Sequence, residues 1–437
     1  MSAFGAAAVR QLGGPSWLAF RREQALQRFF EAPTPTGDED AWRYSRIGQL
    51  TLGRFVPAVH PGTGAGRDEL PGLARRLLAD LGAVGGLVVT RDGFPVRTEL
   101  GERASEAGVR LGPASRDLEA EALMGDVINT FPLATADGFA ALADAFAPEA
   151  VVLRVPSGVE IAEPILIVHV MGDPASDGRP AAVFPRTLVH LEESSQASVI
   201  ELLVSPDGEE PVLVLPTTEL SVSAAARLSH DLVQQLGSRA WQLGRLAARA
   251  GRDATLRSFQ ASLGGSYARA QTDSILTGQG GSTQLLAAFF GDGNQMHDFR
   301  TLQEHAAPRT TSDLVFKGAV AGTSRSVYNG LIKMRKGAKG ASAFQTNRNL
   351  VLSDGAHADS VPNLDIEEND VRCSHASAVG PVDEEQRFYL ESRGVPAKVA
   401  ERLILLGFFA ELLEKVNPSV GTLVLEAIAG RVGAAAR

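Results

Sequence analysis

The only cysteine of the chain, Cys373, stands two residues before His375 in the stretch DVRCSHASAVG, residues 370 to 380. A thiolate and an imidazole are both ligands for zinc or for the iron of an iron-sulfur cluster. In a strand, residues two apart point to the same face, so the pair would form one half of a binding site. Two donors do not complete a tetrahedral metal, and any further ligand would have to come from a second chain. Taken alone, a small buried cysteine beside a polar histidine is the simpler reading of the pair.

No other segment offers a stronger chemical signal. The eight histidines include no H-E-x-x-H spacing, and neither a G-x-S-x-G elbow nor a G-x-x-x-x-G-K-[ST] phosphate loop occurs. TGQGGST at 277 to 283 lies between two strand-like runs with no helix after it. It reads as a β-turn, because a phosphate cradle needs the helix terminus that is missing there. The basic run KMRKGAK, with Lys333, Arg335, Lys336 and Lys339, reads as a charged strand edge, with an anion contact as the less common use.

Composition narrows the classes further. A single cysteine excludes an intrachain disulfide and points to a reducing compartment, hence the cytoplasm. With 42 basic and 51 acidic residues the net charge is −9, which argues against nucleic acid as a partner. The first 32 residues carry charges from Arg10 onward and no uninterrupted apolar run, unlike a signal peptide. No window of about 18 uncharged apolar residues is present to span a membrane.

The elements that must position the pair fall into three zones. Residues 1–148 read as a mixed, mainly helical domain. An amphipathic helix follows Pro15, with Leu18, Ala25, Leu26 and Phe29 in one arc; further helices are expected over 68–82 and 134–147. GLVVTRDGFPVRTEL between them reads as a strand, an Asp-Gly turn and a second strand. Residues 149–380 alternate with period two in short aliphatic runs. Turn phrases such as ESSQASV (193), AGRDATL (250), KGAKGAS (336) and DGAHADS (354) punctuate them. These weak repeats predict a β-solenoid, in which each coil buries its inward face only by stacking on the next.

Residues 381–437 read as a helical domain. Asp383 and Gln386 have capping-box spacing, Gly394 can end that helix, and Pro396 opens a second one. Its apolar residues, Phe408, Phe409 and Leu412 among them, cover more circumference than one buried stripe needs. Either a second face meets a partner, or the helix is buried between the solenoid and the last helix, VGTLVLEAIAGRV.

Residues 316–395 also carry a family resemblance. QTNRNLVLS (345–353), PNLDI (362–366), CSHASAVG (373–380) and FYLESRG (388–394) occur in series, with MHDFRTLQEHAAPRTTSDLVFKG (296–318) ahead of them. DEDAWRYS (38–45) and RVPSGVEIAEPILIVH (154–169) lie nearer the amino terminus. In order and spacing the chain resembles the SufB/SufD family, scaffolds of the SUF system for iron-sulfur cluster assembly. It is most like the SufD branch: Ser353 stands near where SufB has its reactive cysteine, and the glutamate-rich SufB version of CSHASA is absent.

The resemblance implies a mainly β fold, a right-handed parallel β-helix flanked by an N-terminal mainly helical domain and a C-terminal helical domain. It implies a non-catalytic subunit in a complex with a SufB-like subunit and a SufC-like ABC-type ATPase, supplied by a sulfur donor system. His375 would be an interface ligand to a transient iron-sulfur cluster shared with the partner, and Cys373 a weaker candidate. Phe408, Phe409 and Leu412 would lie in the ATPase-docking region. A flavin, if one binds, would belong to the complex and not to this chain. Two other classes stay open: a metal-free structural scaffold or homodimer, and a β-helix carbohydrate-active enzyme, which would want paired carboxylates on one solenoid face.

Overall fold

In the computed structural model, which describes residues 3–33, 35–61, 69–126, 138–172, 178–205 and 210–435, the alternating zone folds as a parallel β-solenoid. Successive strands go to opposite sheets, and each pairs in parallel with the strand two further along. One sheet has 12 strands and the other 10. Stacking is in register, so that Glu201, Leu232 and Gln260 occupy one column. The lumen between the sheets is filled by Val151, Leu153, Ile165, Ile167, Val189 and Val199 in the early coils. Further along it is plugged by Phe289, Phe299, Phe316 and Tyr328.

One edge of the 10-stranded sheet shows why the turn phrases repeat. Ser194, Ala225, Asp253, Gly280, Arg309 and Gly340 all have φ between 56° and 75°. Each lies two residues before a stacked strand position, namely Gln196, Arg227, Thr255, Ser282, Thr311 and Ser342. Their N–H groups donate to the next coil's turn: Ser194 to Ala224 O, Ala225 to Arg252 O, Asp253 to Gln279 O, and so on to Gly340 and Asp370 O. The repeat, roughly 30 residues long, is therefore a column of left-handed residues. ESSQASV, AGRDATL and KGAKGAS belong to this column, while DGAHADS turns onto the other sheet. TGQGGST supplies Gly280 and is a turn, as expected.

The amino-terminal helices form at Ser16–Glu31, Gly72–Leu81 and Gly138–Phe146. Residue 68 and residues 134–137 of the expected helices lie outside the described residues. The expected hairpin is present, with Asp92 and Gly93 left-handed at its turn. Gly86–Arg91 pairs in parallel with Ile165–Val170, so the 10-stranded sheet starts upstream of residue 149. Both sheets begin on an antiparallel strand, Phe94–Leu100 in one and Arg110–Pro113 in the other.

The outer faces are covered differently. Helix Gly72–Leu81 and the carboxy-terminal helices Ala397–Leu413 and Pro418–Ala435 pack on the 10-stranded sheet through Leu77, Leu405, Phe409, Val420 and Ile428. The 12-stranded sheet is covered by the amino-terminal segments through Phe4, Trp42, Ile47, Phe139 and Phe146. Buried charges fix this second cover. Asp298 is fully buried and accepts from Arg269 Nη1 (2.9 Å), Arg300 Nε (2.7 Å) and Tyr267 Oη (2.8 Å). The same two arginines donate to Ala41 O and Arg43 O, and Arg269 lies 4.0 Å over the Trp42 ring. DEDAWRYS is thus a strap held on the solenoid by two cations that share the Asp298 carboxylate.

Buried histidines make the fold acid-sensitive. Burial pushes His297 down to about 3 and His305 down to about 4 from 6.5. Below pH 6.5 the unfolded chain takes up protons that the folded chain refuses, so stability falls as pH drops through that window. Each histidine contributes on the order of 3 kcal/mol. Asp273 acts oppositely: burial raises it to about 6, so its protonated form favours the fold between pH 6 and 3.8. His190 is lowered by burial as well, so three histidines oppose one aspartate and the melting temperature should fall from pH 7 to pH 4.5. Calorimetry on His297→Gln should show a shallower slope, and an unchanged slope rejects the assignment.

Candidate functional site

The last coil is where the structure leaves its chemistry exposed. Strand His357–Ile366 ends one sheet and strand Val371–Gly380 ends the other, and no described strand pairs with their outer edges. Unpaired N–H and C=O rows of this kind accept an added strand. Side chains that would be lumen-lining in an inner coil are open here: Leu364 is 39%, Ile366 46% and Val379 45% exposed. The corresponding residues one coil below, Ile332, Met334 and Asn349, are buried.

Cys373 and His375 lie on this terminal strand. Cys373 stacks on Ala343 and His375 on Gln345. Their i, i+2 spacing puts both on the lumen-facing side. Cys373 is half-buried against a cluster that includes Ile332, Met334, Ala338 and Ala341, and burial pushes its thiol up. A raised thiol is a poorer thiolate ligand at neutral pH. His375 is exposed. Among the described residues no group of three His, Cys, Asp or Glu side chains could hold a metal.

Sequence reasoning missed Gln345. It is 1% exposed, directly beneath His375, and neither atom of its amide has a hydrogen-bond partner. Its position at the head of QTNRNLVLS was the available signal.

Two of the four basic residues of the run are paired locally. Lys333 pairs with Asp365 (3.2 Å) and Glu367, Arg335 with Glu304, and the Glu368 carboxylate accepts the Gly337 N–H (3.0 Å). Contrary to the expectation of a strand edge, the run lies at the end of a strand paired on both sides and in the turn after it.

In the carboxy-terminal helices, Asp383 caps Glu384–Ser392 by accepting from Glu385 N and Gln386 N, and Gly394 ends it at φ 85°. The three aromatic and aliphatic docking candidates separate. Phe409 (0% exposed) and Leu412 are buried against the solenoid and the last helix, so they offer no surface to a partner, contrary to the sequence expectation. The sheet and the last helix each bury a stripe of this helix, which is the second of the two alternatives that its apolar circumference left open. Phe408 is half-buried, with Lys317 Nζ 5.0 Å over its ring and bonded to its carbonyl. The exposed apolar residues are instead Phe388, Tyr389, Val399 and Leu403, on two successive helices.

Comparison with known proteins places this arrangement. A family model described as "SUF system FeS cluster assembly, SufBD core domain" matches residues 174–408, more than half of the chain. The chain belongs to the SufB/SufD family. An iron-sulfur cluster assembly SufBD family protein of Mycobacterium tuberculosis is 36% identical over 275 residues, covering 61% of this chain and 67% of the relative. SufD of Escherichia coli is 28% identical over 396 residues, 90% of this chain and 88% of its own. SufD of Bacillus subtilis is 26% identical over 412 residues, 92% and 91%. The chain is SufD-like, and its role lies in SUF iron-sulfur cluster assembly.

Proposed function

We propose that this chain is the non-catalytic, SufD-like scaffold subunit of a cytoplasmic SUF complex. It pairs through the open end of its solenoid with a SufB-like subunit. His375 is presented across that interface to a nascent iron-sulfur cluster whose thiolate comes from the partner. The observation carrying this reading is the uncovered last coil, with two free strand edges, lumen-facing apolar side chains in solvent and an exposed imidazole among them. A neutral imidazole nitrogen is a competent ligand for iron. A SufC-like ATPase, hydrolysing ATP in trans, docks on the carboxy-terminal helices. Sulfide arrives from a separate donor system, and any flavin belongs to the complex.

The free strand edges also favour a second reading, a homodimer in which two copies pair their last coils. Anaerobic co-expression with the cysteine-bearing SufB-like subunit and the ATPase separates the two. The expected product is a mixed complex that holds iron and sulfide and protects the amides of 371–379 from hydrogen exchange, while the chain alone holds neither iron nor sulfide. A homodimer that persists in the partners' presence, with no mixed complex, overturns the proposal.

A further inference from the structure

A histidine that binds iron through one ring nitrogen has to satisfy the other, and in buried sites that N–H is donated to a carboxylate, a carbonyl or a water. His375 has no such partner in the free chain, where it is exposed and water serves. A subunit covering the last coil removes that water. The requirement then falls on whichever acceptor of this chain lies within reach.

The register puts one such group directly beneath the imidazole. Gln345 is the residue paired with His375 on the preceding strand of the same sheet, one inter-strand step of about 4.8 Å away on the same face. Its amide is buried and both of its polar atoms are unpartnered. The next amide along, Asn347, is already engaged, accepting from Asn349 Nδ2 (2.7 Å) and donating to Phe316 O. In the other direction along that face, the residue paired with Cys373 is Ala343, which has no side-chain acceptor. The facing sheet leaves room for the Gln345 amide. A Cβ on Gly330, in the facing sheet, would sit 2.3 Å from Gln345 Nε2 and 2.3 Å from Tyr328 Oη. The absence of a side chain at Gly330 is what makes room for the amide. A buried amide with no partner costs free energy in the isolated chain. Such a group in a packed coil is explained if its partner arrives only on assembly.

We propose that Gln345 is the positioning residue for His375: once the open end is covered, its side-chain carbonyl accepts the hydrogen bond from the ring nitrogen turned away from the cluster, fixing the tautomer and the aim of the other. This rests on the reading of His375 as an interface ligand. The space left at Gly330 admits the amide.

The test uses Gln345→Leu in the full chain, alone and in the three-subunit complex, with His375→Ala beside it. In the free chain the expected melting temperature is equal to or above that of the parent, because an unsatisfied amide has been replaced by an apolar group of similar size. A marked drop would make Gln345 an ordinary structural residue and overturn the inference, whatever the cluster does. In the complex, assembly is retained, bound iron and sulfide fall about tenfold, and the nitrogen hyperfine coupling of the reduced cluster changes in whatever cluster remains. Gly330→Ala, whose added Cβ would meet both the Gln345 amide and the buried Tyr328 ring, should shift the same coupling, with the free chain's melting temperature measured beside it. If His375→Ala abolishes the cluster and Gln345→Leu leaves yield and coupling unchanged, the positioning role is wrong and the ligand reading stands. If His375→Ala has no effect, the ligand reading has failed first.

Discussion

His375→Ala is expected to leave the assembled complex intact and to remove most of its bound iron and sulfide, whereas Cys373→Ser should retain most of both. The difference follows from where the two side chains sit on one strand. Cys373 is half-buried against Met334, Ala338 and Ala341, and its thiol is pushed up by that burial. It is a filler whose replacement by a hydroxyl costs packing at one edge. His375 is exposed on the same face, and no neighbour among the described residues is able to complete a metal site. Its ring can therefore reach across to a partner, and its loss removes a donor that nothing nearby replaces. Because both residues line the same face of the last coil, the comparison controls for local packing. Iron and sulfide analysis after identical anaerobic reconstitution is the measurement. Equal loss in the two variants would make them a joint ligand set, and no loss in His375→Ala would leave this chain a structural partner only.

The stacked architecture was legible because it rests on local patterns. Alternation over ten-residue runs and polar turns before them are visible residue by residue, and so were the Asp383 cap and the Gly394 stop. What the turn phrases have in common was not legible. Ser194, Ala225, Asp253 and Arg309 share a left-handed backbone but no chemistry, and only Gly280 and Gly340 advertise it. The same limit hid the start of the solenoid. The hairpin 86–100 was recognised as a hairpin, yet nothing local says that its first strand extends a sheet whose next strand begins at Ile165.

Within the candidate site, sequence spacing placed Cys373 and His375 on one face and the structure has them so. Their openness is a property of the stack's end, which no window of sequence contains: Leu364 and Val379 look like core residues and lack only the next coil. DEDAWRYS was recognisable as a motif but not as a strap, since its partners Arg269 and Arg300 lie more than 220 residues away and its own contribution is largely backbone carbonyl. Long-range pairing of this kind is decided by the fold, and the sequence records only its ends.

On the carboxy-terminal helices the expected outcome divides by burial. Phe409 is fully enclosed by the solenoid and the last helix, so Phe409→Ala should destabilise the chain by about 3 to 5 kcal/mol, and Phe409→Asp by more, since it buries a charge without a partner. Loss of the ATPase in such a variant would report unfolding of the helix and says nothing about docking. Leu403→Glu and Phe388→Glu change residues that are 49% and 72% exposed and should leave the melting temperature within a degree or two. If the ATPase partner docks on the exposed face formed by Phe388, Tyr389, Val399 and Leu403, those two substitutions should abolish its co-purification, because a charge set into an apolar contact is left desolvated and unpaired. Phe408, half-buried beneath Lys317, should fall between the two groups in stability and contribute to docking only through its open edge. The decisive comparison is pull-down of the ATPase against melting temperature across the four variants. Retained binding in both exposed-face variants would move the docking site off these helices, and loss confined to Phe409→Asp would mean that the helix matters for folding alone.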